Sequence, residues 1–117
     1  MAERDEQREP GASAPGADLL IALVRGSYSA AVVRAALAIV EGDPLATAGC
    51  FRGALLRGLM EVDGHFWGRH APLYERYREV LRASAAARRR LTPTERMEFW
   101  SALDEATVSG RRRPPGA

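Results

Sequence analysis

The chain has no lysine and no asparagine, and in 117 residues it has a single glutamine, two isoleucines and one cysteine. With Cys50 alone there is no internal disulfide, which excludes a small secreted scaffold stapled by bridges. No apolar run approaches the ~18 residues that a bilayer-crossing helix needs. The opening MAERDEQREPG is charged throughout and lacks the apolar stretch of a secretory leader. A bacterial cytoplasm is the expected address, with no membrane partner. Hairpin dipeptides such as Asn-Gly and runs of strict alternation are missing too, so nothing predicts a sheet. Nor is there a G-x-S-x-G elbow, a phosphate-cradling glycine loop or an HExxH pair.

Without lysine, all 17 basic side chains are arginine. Guanidinium offers a planar fork to phosphates and carboxylates. Yet abundant alanine, glycine and proline beside scarce asparagine and isoleucine is what a GC-rich genome writes, so arginine content alone does not indicate nucleic acid. Placement is more informative. Residues 1–17 hold Glu3, Asp5, Glu6 and Glu9 against two arginines, and 111–117 hold Arg111, Arg112 and Arg113 with no acid. Between them, 12 arginines face 11 acids. A domain that coats DNA usually keeps its excess charge on the folded part, and this one is nearly balanced there.

What is present reads as one all-α domain: a compact bundle of four to five short helices over 18–108, flanked by disordered termini. Residues 1–17 carry charge, two prolines and small side chains, too little apolar surface to offset ordering. The basic tail 109–117 is similar, and Pro114-Pro115 oppose a helix there. A first helix is expected from an Asp18 cap to Gly26. Ser27 or Ser29 caps a second, AAVVRAALAIVE, which is apolar almost all round and so expected at the centre. Asp43-Pro44 predicts the start of a third, with Leu45, Ala48, Phe51 or Arg52, Leu55, Leu59 and Val62 at helical spacing. A fourth runs from about Pro72, with Leu73, Tyr77, Val80, Leu81 and Ser84 inward and Arg78, Arg82 and Arg89 outward. The last opens on a T-x-x-E capping box at Thr92 and is expected to bury Met97, Trp100, Leu103 and Thr107.

Three functional readings follow. The first is a non-enzymatic adaptor, regulator or assembly subunit that binds another protein or itself, without cofactor. Its expected contact surface is Phe66, Trp67, His70 and Tyr74, aromatic side chains with polar tips gathered at a turn. The second is a nucleic-acid-binding regulator. VRAALAIVEGDPLATAGCF fits a degenerate helix-turn-helix, with Ala38, Gly42 and Ala48 at its marker positions and Thr47 near base edges, helped by Arg88, Arg89, Arg90, Arg111, Arg112 and Arg113. The third is a small enzyme or metal site around His65 and His70. Five residues apart, these histidines would stand about 140° apart around a regular helix, so they do not form one ligand pair there. Cys50 in an Ala- and Gly-rich stretch reads as a small hydrophobe, and the Glu75/Glu79 and Asp104/Glu105 pairs lie among arginines on solvated faces.

Overall fold

Backbone conformation settles the third helix first, and against expectation. Ala48, Gly49 and Gly53 all adopt left-handed φ values, of 51°, 80° and 86°. Such residues cannot lie inside a right-handed helix, so the chain from Pro44 to Gly53 winds through turns. In this computed structural model, which describes residues 15–110, the helices are α1 (Ala17–Arg25), α2 (Ala30–Gly42), α3 (Ala54–Leu59), α4 (Gly64–Arg69), α5 (Ala71–Arg89), α6 (Pro93–Trp100) and α7 (Glu105–Gly110). The described residues contain no strand, and the fold is all-α as the sequence predicts. Residues 1–14 and 111–117, most of the two expected tails, lie outside the described residues. Ala17, assigned to the first tail, instead begins α1 and is buried.

Capping explains most of the boundaries. Asp18 is not the N-cap of α1; that position is Gly16, and Asp18 sits in the first turn, where a carboxylate suits the positive end of the helix dipole. Gly26 closes α1 in a left-handed C-cap, while the Ser27 N–H reaches back to the Ala22 carbonyl at 2.9 Å. Ser29 Oγ accepts from the Val32 N–H at the start of α2. Asp43 ends α2 rather than starting α3, its carboxylate accepting from the Leu45 N–H.

The centre of the core is α3, not α2. Ala54, Leu55, Leu56, Gly58 and Leu59 are all buried, and α3 packs against α1, α2 and α6. A Cβ on Gly58 would lie 2.7 Å from Leu20 Cδ1, so the missing side chain lets α1 approach closely. By contrast α2 buries only Val33, Ala36, Leu37 and Val40 and leaves Ala31, Arg34, Ala35 and Ala38 exposed. Alanine is apolar by composition but small, so a solvated face of it costs little. The long α5 lies against α2, an approach pinned by a bidentate ion pair from Arg76 to Glu41 with both N···O distances 2.8 Å. That guanidinium holds the Glu41 carboxyl below its ordinary value.

The last helix turns out differently from its pattern. α6 ends at Trp100, because Ser101 leaves helical backbone with ψ 168°. Asp104 then accepts from the Thr107 N–H to start α7. Phe99, 1% exposed, takes the inward position, whereas Met97 and Trp100 are 72% and 55% exposed. The expected burial of Met97 and Trp100 assumed a helix continuing in phase to Leu103 and Thr107, and the break at Ser101 removes that phase.

Candidate functional site

Two regions gather chemistry-bearing side chains. The first is the aromatic stretch that follows α3. Asp63 Oδ1 accepts from the Phe66 N–H at 2.9 Å and so caps α4, where the sequence predicted only a turn. A continuous helix through Pro72 would set its ring against the Gly68 carbonyl, and the chain breaks at His70 before α5 begins. This break folds α4 back on α5. Trp67 stacks on Tyr77 with centroids 4.6 Å apart and planes 15° from parallel. Phe66 stacks on His70 and meets Tyr28 edge-on, while the Tyr28 hydroxyl accepts from the Asp63 N–H.

The structure therefore brings Phe66, Trp67, His70 and Tyr74 into one cluster and turns it largely inward. Trp67 and Tyr77 are buried, Phe66 and His70 half-buried, and only Tyr74 is exposed, with the Arg78 guanidinium 5.9 Å above its ring. Burial, reinforced by the neighbouring Tyr74, raises the Tyr77 phenol above its ordinary value. His65 is exposed on α4. Among the described residues, no three His, Cys, Asp or Glu side chains converge on a point. Glu75 and Glu79 pair with Arg78 and Arg82, each on the exposed side of α5.

The nucleic-acid residues are not brought together. A helix-turn-helix needs its second helix from Pro44, and that segment is the left-handed turn described above, so the motif is absent from the described residues. Thr47 spends its hydroxyl oxygen accepting from the Gly49 N–H. It lines a depression with Ile39 and Asp43, whereas Arg88 and Arg89 line a different one. Arg90 is exposed at the end of α5. Arg111, Arg112 and Arg113 lie outside the described residues.

The second region was not singled out by sequence. It is an open cleft of about 440 Å³ between the end of α5 and α6, lined by Ala85, Arg88, Arg89, Leu91, Arg96, Phe99 and Trp100. Its walls are fixed by hydrogen bonds. At Thr92 the capping box is complete: Thr92 Oγ1 accepts from the Glu95 N–H at 3.1 Å and Glu95 Oε1 accepts from the Thr92 N–H at 2.9 Å. The Thr92 N–H, and then Arg52 at 3.4 Å, hold the Glu95 carboxyl below its ordinary value. Arg57 on α3 pairs with Glu61 and donates from Nε to the Phe99 carbonyl, which ties the end of α6 to the core.

Two of the cleft's arginines are pinned to main chain. Arg88 donates from Nε to Ser84 Oγ at 3.0 Å and from Nη2 to the Leu81 carbonyl at 2.9 Å. Arg96 donates from Nη2 to the Leu91 carbonyl at 2.9 Å. Among the described residues, none of Arg88, Arg89 and Arg96 forms an ion pair. Phe99 makes the apolar floor, Trp100 meets it edge-on at 4.9 Å and stands on the rim, and Met97 is exposed one helical turn away. The available sequence signal was Asp104, an N-cap that marks a new helix and so implies a break after Trp100. Comparison with protein-family models, with curated proteins and with solved structures finds no match for this chain.

Proposed function

We propose that this protein is a contact module, an adaptor, regulator or assembly subunit, whose binding face is the outer side of α6 beside the arginine cleft. The observation that carries this reading is the outward placement of Met97 and Trp100 on one face of a helix whose direction is fixed by a complete capping box. Large apolar side chains exposed together mark interaction surfaces more often than chance exposure does, and Trp and Arg are the side chains that dominate binding energy when covered. The partner is another protein or a second copy of this chain, since a domain this small gains stability by adding buried area. The reading takes the chain to work in a bacterial cytoplasm, where a lone thiol stays reduced.

Light scattering across a dilution series, with affinity capture of stable partners, tests this on the parent and on a Met97→Ser, Trp100→Ser variant. The parent is expected to self-associate or retain a stoichiometric protein, and the variant to lose that association while keeping its helical spectrum. A parent that is monomeric throughout and retains nothing contradicts the reading.

A further inference from the structure

We infer that the cleft between α5 and α6 takes an acidic peptide segment, with one apolar side chain against Leu91, Phe99 and Trp100 and flanking carboxylates on Arg88, Arg89 and Arg96. This rests on the contact-module reading and adds the chemistry of the partner. Charge points to an anion. Three guanidiniums face one opening and none is neutralised by a described acid, although Glu41, Glu61, Glu75, Glu79 and Glu95 elsewhere each have an arginine partner. Carboxylate is the side-chain group whose paired oxygens match the guanidinium fork.

Preorganisation favours the same ligand. Arg88 and Arg96 are already oriented by the Leu81 and Leu91 carbonyls, so less side-chain freedom is lost when an anion arrives. The floor adds an apolar contact. Phe99 is buried, while Trp100 and Met97 continue the apolar surface beyond the charged rim. A nucleic-acid backbone needs cations spaced along a track rather than gathered at one opening. A peptide that alternates acidic and apolar side chains covers both the charged rim and the apolar surface, and the cleft volume falls in the ordinary range for small-ligand sites.

The test is a selection of random phage-displayed peptides about 12 residues long on the full chain, a length that spans known peptide grooves, followed by titration of the enriched peptides. Arg89→Glu is the informative variant, because Arg89 is exposed and has no hydrogen bond or ion pair to a described residue. Enriched peptides should carry Asp or Glu around a Leu, Phe or Trp, and Arg89→Glu should weaken them about tenfold or more. Replacing their acids by lysine should abolish binding. The inference is overturned by enrichment without acids, by unchanged affinity in Arg89→Glu, or by a single-stranded oligonucleotide binding tighter than any peptide. Enriched neutral peptides that Trp100→Ser abolishes would overturn the acidic partner and leave the contact face standing. Failure to enrich any peptide overturns this inference and leaves the contact face to the scattering and capture test.

Discussion

The two tryptophans stand in similar company and have opposite fates. Each has an aromatic neighbour, and each sits where one helix gives way to the next structure. Trp67 is folded under α5 because Pro72 forces a break at His70, and the reversal stacks its indole on Tyr77. Trp100 ends α6 facing outward because Ser101 stops the helix just as Phe99 has reached the core. Residue type therefore does not distinguish a buried aromatic from an exposed one. The position of a helix break within a few residues does.

The largest expected effect is at the floor that joins the core to the cleft. Phe99→Ala removes a fully buried ring and should cost about 3–5 kcal/mol in urea unfolding, in the range for large-to-small aromatic changes. Peptide binding should be lost with it. A loss near 1 kcal/mol would mean that the floor is not packed as described. Next is Thr92→Ala, which removes one of the two reciprocal capping bonds and should cost about 1 kcal/mol. Because that cap aims α6, binding at the cleft should weaken as well, and a variant with unchanged stability would separate α6 from its cap.

pH gives the smallest effects and works from both ends. Glu41, Glu95 and Asp104 have carboxyls held below their ordinary values of 4.5, 4.5 and 3.8. The folded state thus binds protons less readily than the unfolded one, so their contribution is present above those values and fades as pH falls through the lower folded ones. Tyr77 is the reverse case. Its folded value is raised above 10.0 by burial, so stability declines as pH rises past 10.0, where the unfolded phenol ionises first. The urea midpoint should therefore fall on both sides of a neutral plateau. Tyr77→Phe should flatten the alkaline side, and an unchanged alkaline side in that variant would place the Tyr77 hydroxyl in water.

Several local features were legible in the sequence because each is decided by two or three neighbouring residues: the Gly26 stop, the Ser29 cap, the Thr92 box and the inward stripe Leu73, Tyr77, Val80 and Ser84. The third helix was not, because Gly49 and Gly53 read as weak helix formers until their left-handed φ values are known. Its consequence was the apparent helix-turn-helix, which vanishes with the turn at Pro44–Gly53. The centre of the core was misplaced for a related reason. Alanine counts as apolar in α2, yet its five alanines supply far less buried area than the leucines of α3. The candidate site followed the density of aromatic residues at 66–77, while the cleft depends on where α6 ends, a matter of tertiary phase that periodicity alone carries too far.

The contrast between Trp67 and Trp100 is tested most directly by urea unfolding of Trp67→Ala beside Trp100→Ala. The account predicts that Trp67→Ala loses about 3–5 kcal/mol while Trp100→Ala stays within about 0.5 kcal/mol of the parent, as for an ordinary surface change. Equal losses, or a larger loss at Trp100, would contradict it.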